Sequence, residues 1–92
     1  MLRTNNRGVA QAFAERRPAT NSNGQFYSPD GITLYSYGDH WPIARWVDGE
    51  CVFHQERYGI PTSKHTSFAF AAVPRAFIHT VPTRNDLRRM GE

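Results

Sequence analysis

The dipeptide Asp48-Gly49 constrains this chain more than any other feature. Asp-Gly accepts the positive φ values of a tight two-residue hairpin turn, and it lies between two runs with strand-like alternation. Folding back there sets Trp46 opposite Cys51 and Ala44 opposite Phe53 on one face of a ribbon. Ile43, Arg45, Val52 and His54 then fall on the other face, because successive side chains along a strand point to opposite sides. A chain with this ribbon at its centre must build a sheet, and the flanking segments must cover its apolar side.

Upstream, residues 25–28 and 32–37 keep period two on either side of Pro29-Asp30-Gly31. That is the composition of a type I turn closed by a glycine with positive φ. The expected register pairs Phe26 with Leu34 and Tyr27 with Thr33. Phe26, Ile32 and Leu34 then share one face, and Tyr27, Tyr35 and Tyr37 share the other. Gly38-Asp39-His40-Trp41 turns the chain into a strand over 42–47, and 50–55 follows the Asp-Gly turn.

Helical spacing replaces this alternation towards both ends. Val9, Ala10, Phe13 and Ala14 form an apolar stripe in residues 6–17, with Asn5 or Asn6 as cap and Pro18 as stop. Residues 19–24 read as an aperiodic polar loop. A second helix starts at Pro61-Thr62-Ser63, with Thr62 or Ser63 as cap. It carries Phe68, Ala69, Ala72 and Val73 on one side and ends at Pro74. Residues 76–81 return to strand, and 85–90 read as a short basic helix or a frayed tail. The expected order is α-β-β-β-β-α-β, a single α+β domain over 1–92 with its core in 6–82 and a basic tail at 83–92. Its four- to five-stranded antiparallel sheet should carry both main helices on the apolar face.

Ninety-two residues bury roughly 60–65% of the surface that the unfolded chain exposes. The six Phe, four Tyr and two Trp supply large apolar areas for so short a chain. The single cysteine, Cys51, permits no intramolecular disulfide, which points to a reducing compartment. The first residues lack the apolar run of a signal peptide, and no stretch approaches the roughly 20 apolar residues of a membrane span. A cytoplasmic protein without membrane contact is expected.

Charge is segregated. Arg3, Arg7, Arg16 and Arg17 face only Glu15 in the first segment, whereas the middle holds Arg45 against Asp30, Asp39, Asp48, Glu50 and Glu56. The last third is basic again through Arg57, Lys64, Arg75, Arg84, Arg88 and Arg89. All of the 11 cations except Lys64 are arginine, a side chain suited to bidentate contacts with phosphate and carboxylate.

Catalytic patterns are weak. Cys51 lies mid-strand among apolar neighbours, a setting for a structural thiol and not for a nucleophile. His40, His54, His65 and His79 show no metal-ligand spacing, and no phosphate-binding glycine loop is present. A non-enzymatic protein with neither metal nor cofactor is expected. Nucleic-acid contact has more support, because sheet-borne aromatics stack on unpaired bases while arginines track phosphates. Candidate binding residues are Arg16, Arg17, Arg84, Arg88 and Arg89, followed by Lys64, Tyr35, Tyr37 and Arg45.

Two islands carry a resemblance. Leu34-Tyr-Ser-Tyr-Gly38, followed after one position by His40-Trp-Pro-Ile-Ala-Arg45, is the first. Tyr58 with Thr62-Ser-Lys-His65 is the second. Over about residues 8–81 they resemble a family of small phage- and plasmid-encoded domains of unknown function, with Gly59 and Pro61 standing where the family has Ser and Thr. The resemblance implies a phage or mobile-element origin. A small basic protein of that origin in turn resembles the anti-CRISPR proteins. This implies an inhibitor of a type I, Cascade-like surveillance complex that contacts its subunits and possible crRNA phosphates in the cytoplasm of the infected host. The alternative is a nucleic-acid-binding accessory protein of a phage or plasmid.

Overall fold

A computed structural model describes residues 1–39, 41–56 and 60–90, with the backbone alone over 60–62. In chain order it contains β1 (Leu2–Thr4), α1 (Asn6–Ala14), β2 (Ala19–Asn21), β3 (Phe26–Ser28), β4 (Thr33–Ser36), β5 (Pro42–Val47), β6 (Glu50–His54), α2 (Ile60–Ala72), β7 (Ile78–Val81) and α3 (Arg84–Arg89). A short 3-10 turn, Arg75–Phe77, precedes β7. The strands form one seven-stranded sheet whose spatial order is the sequence order.

The sheet is mixed, not antiparallel. β2 to β6 form an antiparallel meander. At each end a helix crosses over to a parallel neighbour, giving β1-α1-β2 and β6-α2-β7. Parallel strands require such a crossover. The two additional strands, β1 and β2, have three residues each and too little alternation to be read from sequence; β2 replaces part of the expected polar loop.

The Asp48-Gly49 hairpin has the expected register, Trp46 with Cys51 and Ala44 with Phe53. Both turn residues have positive φ, 51° and 82°, as a type I′ turn requires. The preceding hairpin is offset by two residues, with Phe26 opposite Ser36 and Tyr27 opposite Tyr35. Asp30 Oδ1 accepts hydrogen bonds from the Ile32 and Thr33 backbone N–H groups, and Ser28 Oγ accepts one from Gly31. These side-chain bonds make a longer loop and leave Ile32 exposed. An offset of two preserves the faces of the strand, so Phe26 and Leu34 remain together in the core.

A register irregularity follows, with Leu34 opposite Ala44 but Tyr35 opposite Pro42. The extra residue, Ile43, joins the main core cluster instead of sharing a face with Arg45. Tyr37, at φ 60°, leaves the alternation altogether.

α1 is shorter than expected. Asn5 caps it by accepting from Gly8. It ends with Arg17 N–H bonded to Ala12 O at 2.8 Å and Arg16 N–H bonded to Phe13 O at 2.9 Å. This is a Schellman closure in which Arg16, at φ 58°, holds the left-handed position usually given to glycine. α2 begins before Thr62 and Ser63, so neither is its cap, and the capping segment lies outside the described residues. The C-terminal segment is helical. Thr83 and Asp86 form a reciprocal capping box at the start of α3.

α1 and α2 pack against one another. Together with the sheet they bury Val9, Phe13, Phe26, Leu34, Trp46 and Phe53. α3 packs against β5, β6 and β7. Leu87 of α3 and Val52 of β6 are fully buried but stand outside the main cluster, consistent with the opposite side of the sheet. No helix among the described residues is long and apolar enough to cross a membrane.

Candidate binding surfaces

The sheet register creates a polar-aromatic row on the face opposite α1 and α2. Arg3 pairs with Thr20, Thr20 with Tyr27, and Tyr27 with Tyr35. The Tyr27 and Tyr35 rings are stacked at 5.4 Å. Both are half-buried, so each retains accessible surface. Burial first, then Asp39 and Tyr35, push the Tyr27 phenol above its ordinary value. It remains neutral and able to donate at neutral pH.

At one end of this row is a small cleft lined by Thr33, Tyr35, Asp39, Pro42, Arg45, Leu87 and Arg88. Arg45 Nη1 donates to Thr33 Oγ1 at 3.2 Å, which fixes its guanidinium beside the strands. Three of the expected binding residues, Tyr35, Arg45 and Arg88, therefore come together. Asp39 brings one negative charge to the same cleft.

The other expected residues are distributed elsewhere. Tyr37 lies on the helix side, stacked with the His65 ring at 5.5 Å. Lys64 is exposed on α2 and lines a groove there with Tyr37. Arg16 places its guanidinium 4.2 Å from the Trp46 ring centroid. Arg17 is paired with Glu15 at 2.6 Å on the surface. Arg84 stacks on Trp41 at 3.9 Å and is bound by Glu56. Its backbone N–H donates to Glu56 Oε1 at 2.6 Å, and this bond holds the exposed carboxyl below its usual range. Arg89 is exposed on α3. The terminal arginines do not form one surface; several of them fasten the ends of helices.

The two sequence islands meet at His65. Its Nδ1 lies 2.8 Å from Ser36 Oγ, and Phe26 stacks on its ring at 4.5 Å. Burial lowers the His65 pKa. Ser36 has no solvent exposure, so this pair fixes α2 to β4 and presents no nucleophile to a substrate. Cys51 is likewise fully buried, and desolvation pushes its thiol up to about 12 against a smaller opposing effect of Arg16. The described residues hold no cluster of three or more metal-ligating side chains. His40 and Tyr58, which belong to the islands, lie outside the described residues.

Sequence reading missed Arg3, Arg7 and Thr33. Arg7 shows one usable signal: it precedes Gln11 by four residues, so both occupy one flank of α1 beside the apolar stripe. No protein-family model matches the chain, and neither a curated protein nor a solved structure is detectably similar to it.

Proposed function

We propose that this is a non-enzymatic binding protein whose β1–β4 face contacts unpaired nucleic acid. The observation that carries the reading is the stacked Tyr27–Tyr35 pair, with Arg45 and Arg88 in the cleft beside Tyr35 and Arg3 in the same row two strands from Tyr27. Aromatics on a sheet accept bases irrespective of sequence, and adjoining guanidiniums contact the phosphates. A cross-strand tyrosine pair also stabilises a sheet by roughly 0.2–1 kcal/mol without any ligand. The arginines near the pair support a binding platform over simple packing.

The specific form of this proposal is an anti-CRISPR inhibitor that meets its nucleic acid as the crRNA of a type I surveillance complex. Such a protein would act in the cytoplasm of an infected bacterium, blocking access of target DNA or recruitment of the nuclease. Small size, basic ends and the resemblance of the two islands support that form. The tyrosine platform equally supports an accessory protein that binds naked strands.

Anisotropy with labelled oligouridylate, oligothymidylate and duplex DNA, combined with co-purification on type I complexes, separates the two forms. Binding to the complex alone supports the inhibitor, and salt-sensitive binding to naked strands supports the accessory protein. Tyr35→Ala should weaken whichever contact exists by about 1–3 kcal/mol, the usual worth of one stacked base. Absence of both interactions, or full retention of binding in a Tyr27→Ala/Tyr35→Ala double variant, refutes the platform.

A further inference from the structure

A large recess lies on the opposite side of the molecule, between α1 and α2. Its outer half, ≈ 870 Å³, is lined by Gln11, Ser67, Phe68, Ala71 and Ala72, with Arg7 and Lys64 at its edge. A second half, ≈ 660 Å³, shares Arg7, Lys64 and Phe68 and continues towards Asn6, Asn21 and Tyr37. The shared residues make the two halves one groove: apolar and small-residued at one end, rich in amides at the other, cationic in the middle.

Its electrostatics are one-sided. Among the described residues, no Asp or Glu lines either half. Among the described residues, neither Arg7 nor Lys64 has an ion-pair partner. The nearby carboxylate at the C-terminal cap of α1, Glu15, is bound to Arg17 at 2.6 Å and to Gln11 at 3.1 Å. Two cations beside an apolar trough are complementary to a ligand that combines negative charge with an apolar side chain.

We infer that the α1–α2 groove is a docking site for an acidic, amphipathic segment of a partner protein. Its apolar side chain occupies the trough formed by Phe68, Ala71 and Ala72, and its carboxylates lie against Arg7 and Lys64. The amide-lined end faces the segment's backbone. A nucleic-acid strand fits less well, because it would leave the apolar half unused and find, among the described residues, only two cations along the groove. This contact is independent of the tyrosine face, from which the sheet separates it.

The test uses the full chain and a short fluorescein-labelled peptide with leucine at every fourth position and glutamate between. The same peptide with glutamine replacing glutamate is the control, and oligothymidylate is the competitor. The acidic peptide should bind with an affinity that falls with salt, and amide shifts in a nitrogen-15-labelled sample should map to α1 and α2. Arg7→Glu combined with Lys64→Glu should weaken binding about 10-fold or more through like-charge repulsion. Ala71→Glu should weaken it too, by placing a charge in the trough. All three residues are exposed, so circular dichroism should remain unchanged. Tyr27→Ala/Tyr35→Ala should leave peptide binding intact, which separates this site from the tyrosine platform. No binding, binding indifferent to the Arg7/Lys64 reversal, shifts confined to the other face, or stronger occupancy by oligothymidylate would each overturn the inference.

Discussion

Mild acid should loosen this fold before the ordinary carboxylates are protonated, because two imidazoles are buried in neutral form. His54 Nε2 donates to Pro42 O at 2.7 Å, while its Nδ1 accepts from the Glu56 backbone N–H at 3.1 Å. A second proton would displace that acceptor bond. Burial is the main reason that the His54 pKa lies below its ordinary value, and Arg84 adds to it against Pro42 and Glu56. His65, enclosed by Phe26, Tyr37 and Ser36, is lowered by burial as well. In the unfolded chain both rings take up protons near about pH 6.5, whereas the folded rings do so only at lower pH. The unfolded state therefore binds more protons throughout that window. The stability that these neutral rings contribute is complete above the unfolded value and is lost as pH falls towards the folded values. Each ring can supply a slope of at most about 1.4 kcal/mol per pH unit, which sets a ceiling of about 2.7 for the pair. Against a total of roughly 5–14 kcal/mol for a domain of this length, one pH unit is a large change. Urea unfolding followed by tryptophan fluorescence, in steps from about pH 8 to about pH 5, measures it. His65→Gln should reduce the slope. Stability that is flat or rises on acidification would refute the assignment of both rings.

Four further outcomes follow from local geometry. Arg16→Gly should be more stable than Arg16→Ala by about 1–2 kcal/mol in thermal melts, since both lose the Trp46 contact but only glycine relieves the left-handed backbone. Gly31→Ala should cost about 2–4 kcal/mol in urea titrations, because φ there is +74° and a Cβ would collide with the Arg16 carbonyl. Leu87→Ala should cost about 2–5 kcal/mol, with the largest hydrogen-exchange increase in α3, since Leu87 is its buried anchor. Cys51 should resist a thiol-labelling reagent at about pH 8 in the folded protein and react fully in denaturant.

Much of the centre of the fold was legible. The register of β5 and β6 follows from Asp48-Gly49, because a two-residue turn leaves no alternative pairing. The β3–β4 register was misplaced by two because Asp30 and Ser28 bond the loop backbone, a side-chain effect that alternation does not reveal. The faces survived that error; Tyr35 stands beside Tyr27 as expected of residues on one face. Tyr37 does not, since its positive φ sends it to the helix side, towards His65. β1 and β2 were illegible because their pairing is decided by where α1 delivers the chain and not by their own pattern. The groove was hidden for a related reason: Arg7 and Lys64 are 57 positions apart and meet only through helix–helix packing.

The contact between α1 and α2 has a consequence beyond the groove it forms. A seven-stranded sheet in sequence order has its first and last strands at opposite borders, where fraying would normally proceed independently. Here each border is delivered by a helix that leans on the helix of the other border. Detaching either βαβ end strips apolar cover from its counterpart. The molecule is thus joined into a loop through its helices instead of its strands, and its two ends are energetically one.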